Sequence, residues 1–120
     1  MSADLARDAL TLARAFARGA TLWSVSPQTP HHAHHVAVEF VHPVVAGARA
    51  LPALAASDAS RASDHDIVVV IGPDDVAFAG TTIRLGHDVA SLYDGGAVRE
   101  YHVLWELTQI CLEHPGLLTA

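Results

Sequence analysis

Cysteine is almost absent from this chain. Cys111 stands alone, which excludes an internal disulfide framework and fits a reducing compartment; in its apolar helical context it reads as a small core residue. Long apolar runs are missing too: although 51% of the residues are hydrophobic, none of the runs approaches the length of a membrane span. Basic residues are scarce, and the net charge of −6 argues against a nucleic-acid partner, which would want a basic patch. Asp4, Arg7 and Asp8 interrupt the opening segment, so no signal peptide is expected there. Neither an internal repeat nor a linker divides the sequence. The expectation is a soluble, cytoplasmic protein of one domain over residues 1–120, large enough for a core but small for an enzyme.

What the chain does have is histidine. Nine histidines outnumber the seven lysines and arginines, and most of them crowd into Thr29–Pro43. At 3.6 residues per turn this stretch separates into two faces. Ala33, Val36, Ala37, Phe40 and Val41 form an apolar side, while His31, His35, Glu39 and His42 run along the other. Thr29 is placed to cap such a helix, Pro30 fits its first position, and Pro43 ends it. An imidazole and a carboxylate at i and i+4, His35 and Glu39, can both reach one divalent ion. The same pattern also fits an ordinary solvated face. His31, His32 and His34 are assigned to that class, or to loose scavenging of metal.

The remaining segments alternate between helix and strand. Residues 2–18 read as an amphipathic helix with Ser2 as cap, Gly19 as its C-terminal stop and Leu5, Ala9, Leu12 and Phe16 as packing stripe. Residues 20–26 and 51–56 read as strands, and an α/β core is expected over 20–118. The unbroken run Ile67-Val68-Val69-Val70-Ile71, between Asp66 and Gly72-Pro73, has the pattern of a central parallel strand buried on both faces. Residues 73–80 predict a short helix with an acidic first turn, 81–85 a further strand, and 89–93 a last strand or a loop. Asp94-Gly95-Gly96 predicts a turn before a well-buried terminal helix over 97–113, which carries His102 and is stopped by His114-Pro115-Gly116. The predicted fold is a small three-layer α/β sandwich with a mainly parallel sheet.

Four segments together carry a family resemblance: His35-Val-Ala-Val-Glu39-Phe-Val-His-Pro-Val-Val-Ala-Gly, Arg49-Ala-Leu-Pro-Ala-Leu, Ser57-Asp58-Ala-Ser60, and Glu100-Tyr-His102-Val-Leu-Trp-Glu-Leu. In this order they resemble the sugar isomerase (SIS) domain family, and within it the phosphoheptose isomerases that act on sedoheptulose 7-phosphate. Members of that family are longer, so the chain looks like a shortened relative lacking parts of the middle. The resemblance implies a flavodoxin-like fold and a zinc ion. His35 and Glu39 would be zinc ligands, Glu39 also the catalytic base, and His102 a zinc ligand and catalytic acid. Asp94 stands where the family has a glutamine ligand, eight residues before that histidine. Thr29, Ser57, Asp58 and Ser60 would contact a sugar-phosphate ligand. The family also implies sites built from more than one subunit, hence a homo-oligomer, dimer or tetramer, with the first or last helix at its interface.

The departures are specific. The family's glycine-rich loop before the histidine helix is Val25-Ser26-Pro27-Gln28-Thr29 here, and its serine-rich phosphate loop falls at Gly72-Pro73-Asp74-Asp75. Two carboxylates there would repel a phosphate. The family's aspartate three residues before the zinc histidine is His32. The expectation is therefore an SIS-like protein with a zinc site and isomerase activity that is weak or lost. The alternative is a non-catalytic metal- or partner-binding module, or a structural subunit of an oligomer.

Overall fold

The computed structural model of the protein describes residues 3–43 and 47–119. Ser2, the expected helix cap, and Val44 to Ala46 lie outside the described residues. The chain is α/β. Four strands, β1 (Leu22–Val25), β2 (Ala53–Ala56), β3 (Ile67–Ile71) and β4 (Thr81–Leu85), form one sheet in the order β2-β1-β3-β4. Every pairing is parallel, with Leu22 opposite Ala53 on one side and Ile67 on the other. No helix among the described residues is long and apolar enough to cross a membrane.

The period-2 geometry of the strands sorts their side chains onto two faces. Leu22, Ile67, Val69, Ile71, Ile83 and Leu85 point to one core cluster, and Trp23, Val25, Val68 and Val70 to the other. All five residues of β3 are fully buried, with parallel neighbours on both sides, as its unalternating sequence requires.

Three helices cover the first face: α1 (Ala3–Ala17), α2 (Pro30–Val41) and α4 (Gly96–Glu113). Helix α1 packs Ala9, Leu12, Ala13, Ala15 and Phe16 inward, and Phe16 meets Phe40 of α2 with ring centroids 5.8 Å apart. Its end is a Schellman turn. Gly19 takes φ of +91°, its N–H donates to Phe16 O, and the Ala20 N–H donates to Ala15 O. Cys111 on α4 is half-buried against this core.

The second face carries no helix among the described residues. Ala59 and Ala62 from the β2–β3 connection, with Val76 and Phe78 from the β3–β4 connection, form the third layer. The short helix expected over 73–80 is thus replaced by irregular chain. The physical reason is reach. About nine residues must return along a strand of roughly 17 Å, and helix at 1.5 Å per residue falls short where extended chain does not. Asp66 secures this layer at the base of β3. Its carboxylate accepts from Thr21 N–H (3.0 Å), the Trp23 indole N–H (2.9 Å) and Ser63 N–H (3.1 Å). Desolvation would raise this carboxyl, but these hydrogen bonds outweigh it and hold Asp66 below the usual aspartate range.

A second correction concerns residues 89–93. They form neither a strand nor a plain loop but lead into a one-turn helix, α3 (Ser91–Asp94). Asp88 initiates it by accepting from Ala90 N–H and from the Ser91 hydroxyl, and Gly95 at φ +90° ends it. This turn delivers Leu92 to the core beside α2, which matters for the site below.

Candidate metal centre

Helices α2 and α4 come together over the sheet and bring His35, Glu39 and His102 into one group. One ligand atom from each lies within 4.8 Å of the others. His35 and Glu39 project from successive turns of α2, and His102 faces them from α4 across more than sixty positions of sequence. His102 Nδ1 lies 2.8 Å from Glu39 Oε1, and the His35 and His102 rings meet edge to face at 5.5 Å. The group opens into a cleft of about 380 Å³ whose walls also include Val38, His42, Trp105 and Glu106.

The group can hold a metal ion. Two imidazoles and a carboxylate are a recognised donor set for a borderline divalent cation that keeps one position open. Glu39 Oε2 is buried and has no hydrogen-bond partner among the described residues, and the side chain is only 18% exposed. A buried carboxylate oxygen without a partner is costly, and a cation between the helices would satisfy it. Burial raises the Glu39 carboxyl above its ordinary range and Glu106 adds to the rise, against the opposing pull of His102 and His35. A carboxyl held in this way is more basic than a solvated one.

Behind this group lies a second row that sequence reasoning missed. By sequence His32 belongs to the solvated face or to loose metal scavenging. It is instead 3% exposed, because the first turn of α2 leans on α4 and α3 rather than on solvent. Its Nδ1 lies 2.9 Å from the Tyr101 hydroxyl and its Nε2 2.7 Å from Leu92 O. The same Tyr101 hydroxyl lies 2.8 Å from His35 Nδ1. Tyr101, 1% exposed, is pushed up to about 12 by burial and by the Glu39 carboxylate, so it stays a neutral phenol. The legible signal was spacing: His32 stands three residues before His35, and Tyr101 adjoins His102. His31 and His34 are exposed, as expected.

The other residues named from sequence fall elsewhere. Among the described residues the metal-competent group does not include Asp94. That carboxylate is exposed and accepts from Gly96 N–H at 2.9 Å, capping the start of α4. Thr29 occupies the cap position of α2, yet its hydroxyl makes no cap hydrogen bond; it pairs with the Ser26 hydroxyl at 2.7 Å, both side chains buried. Ser57, Asp58 and Ser60 line a separate crevice with Trp23 and Arg61. There Asp58 Oδ1 accepts from the backbone and the hydroxyl of Ser60, which holds its carboxyl low. That crevice shares no wall residue with the metal cleft. Asp74 and Asp75 follow the end of β3, and Asp74 Oδ2 is buried with no hydrogen-bond partner among the described residues. No protein-family model matches this chain, and no curated protein does.

Proposed function

We propose that the chain is an SIS-like protein related to phosphoheptose isomerase, which keeps a zinc site and has lost most of its hold on phosphate. The observation that carries this reading is the convergence of His35, Glu39 and His102 from two helices, at the positions that the resemblance assigns to zinc. Zinc bound there supplies Lewis-acid polarisation of a ligand oxygen. Glu39, made more basic by burial, is suited to move a proton between adjacent carbons of an aldose–ketose pair. His102, half-exposed at the mouth of the cleft, is suited to exchange a proton at the carbonyl oxygen.

Phosphate binding is the weak part. Pro27 and Pro30 offer no N–H, the Thr29 hydroxyl is engaged by Ser26, and Asp74 and Asp75 stand at the positions that the resemblance assigns to the serine-rich phosphate loop. Binding energy from a remote phosphate ordinarily fixes the reacting carbons against the base, so its loss should reduce turnover. Zinc-loaded protein is expected to bind one equivalent of metal and to isomerise sedoheptulose 7-phosphate slowly or not at all. Efficient turnover abolished by Glu39→Gln would refute the loss of phosphate grip; absence of stoichiometric zinc binding would refute the metal site.

A non-catalytic metal- or partner-binding module is the second reading. It is favoured by the separation of the Ser57–Ser60 crevice from the metal cleft within one chain. The homo-oligomer implied by the resemblance belongs to the proposal as well, and Val38, Ile110 and Leu117 are large apolar side chains left exposed for such an assembly. Light scattering at micromolar concentration is expected to return at least a dimer; a monomer would contradict it.

A further inference from the structure

We infer that His32 and Tyr101 form a directional relay that fixes the tautomer of His35 and presents its Nε2 lone pair to the metal. The inference deepens the zinc-site reading and rests on it only for the consequence to affinity; the direction of the relay is a property of the metal-free chain.

The direction follows from donor and acceptor capacity. Leu92 O, at 2.7 Å from His32 Nε2, can only accept, so His32 Nε2 carries a proton. In a neutral imidazole the other nitrogen is then bare, and His32 Nδ1 must accept from the Tyr101 O–H at 2.9 Å. A phenol has one proton to give. Having given it to His32, the Tyr101 oxygen can only accept from its remaining neighbour, the His35 Nδ1 at 2.8 Å. His35 Nδ1 therefore carries a proton, and the free lone pair of that ring is on Nε2.

Three features keep this chain of bonds in register. His32 and Tyr101 are buried, so water does not compete for their polar atoms. The backbone carbonyl that sets the direction is held by α3, whose Leu92 side chain is 3% exposed in the core. The His35 and Tyr101 rings stand edge to face at 5.1 Å, and His32 and Tyr101 at 5.7 Å, which limits rotation of either imidazole. Outer partners of this type orient a ligating histidine and raise its basicity, and losing one typically costs roughly 10- to 100-fold in metal affinity. His32 and Tyr101 are positioning residues; neither would touch the ion.

The test begins with heteronuclear NMR of the isotope-labelled imidazole nitrogens in metal-free protein near neutral pH. His35 is expected to be protonated on Nδ1 and bare on Nε2, and His32 the reverse. Tyr101→Phe should leave His35 a mixture of tautomers and weaken zinc binding roughly 10- to 100-fold by calorimetry. His32→Gln, whose amide can accept from Tyr101 and donate to Leu92 O, should preserve the His35 tautomer and most of the affinity. This variant keeps the relay testable where Tyr101→Phe fails to fold. His35 protonated on Nε2 in the wild type, or an unchanged His35 tautomer in Tyr101→Phe, would overturn the relay. Wild-type protein with the expected tautomer but no zinc affinity would overturn the metal reading and leave the relay standing.

Discussion

A metal shared between two helices must show up in the stability of the whole fold, and His102→Ala should remove that effect. The candidate ligands come from α2 and α4, so an ion bound by all three would hold only the folded state, and mass action would add its binding free energy to stability. At free zinc near 100 times Kd the gain is about 2.7 kcal/mol. For a domain of this size about 1 kcal/mol moves Tm by roughly 3–6 °C, so the expected rise is on the order of 10 °C. His102 is 46% exposed, and its removal opens no core cavity. His102→Ala should therefore still fold, while the two ligands left on α2 no longer link the helices. Its zinc-dependent rise should shrink to a few degrees at most, on the scale of a surface effect of about 0.5 kcal/mol. The control is His31→Ala/His34→Ala, which removes two exposed histidines of α2 outside the metal group and leaves the buried His32 in place; it should retain the full rise. The assay is a thermal melt with and without zinc at several pH values. The rise should fade below about pH 6, as protons compete for the imidazoles and for a Glu39 carboxyl already raised by burial. Equal zinc stabilisation of the wild type and His102→Ala would refute the shared site and leave only a histidine-rich helix.

Other perturbations reach different parts of the same structure. Metal-free Glu39→Gln should melt a few degrees above the wild type near neutral pH, about 1 kcal/mol, because it removes a buried charge with an unpartnered oxygen. Since the Glu39 carboxyl is raised in the folded state, its ionisation opposes folding, so this advantage should vanish as pH falls through the ordinary glutamate range; a variant less stable than wild type at neutral pH would contradict it. Asp66→Ala should cost about 2 kcal/mol in a urea titration, because the buried Trp23 indole N–H loses its acceptor. The Asp66 contribution is present above the ordinary aspartate range and lost as pH falls through its lowered folded value, so wild type and variant should converge in acid. Gly86→Ala should cost more than about 1 kcal/mol, since its φ is +66° and a Cβ would stand 3.0 Å from Leu92 and 3.2 Å from Gly72 N. A melt unchanged from wild type would show that β4 and α3 are looser than this packing implies.

The sheet was the most legible part of the fold because its signals are local. Ile67–Ile71 declares a strand buried on both faces by composition alone, and Pro30 and Gly19 mark a helix start and a helix end by their backbone geometry. The covering of the second face was not legible. Whether residues 73–80 coil or extend depends on the distance they must cross, and that distance exists only once β3 and β4 are paired. Pro73-Asp74-Asp75 has a good helix-start pattern, and tertiary reach overrides it.

The site divides along the same line. His35 and Glu39 belong to one helix, so spacing alone puts them on one face, and local sequence suffices. His32 lies about one turn before His35 on that helix. What no local pattern supplies is the identity of its neighbours. A buried imidazole needs a partner for each nitrogen, and both partners here, Tyr101 and Leu92 O, come from more than fifty residues away. Without them His32 on this helix reads as solvated, because burying it unpaired would be unfavourable. The same reasoning explains Tyr101. On an apolar stripe it reads as packing, and only the approach of α2 gives its hydroxyl two imidazoles to bridge. Asp94 is named as a ligand by the resemblance alone; in the fold its carboxylate, two residues before the first free N–H of α4, accepts from that N–H. The His35/Glu39 pair, then, is readable from helix spacing, while its meeting with His102 and the groups behind it become readable only when two helices have been docked.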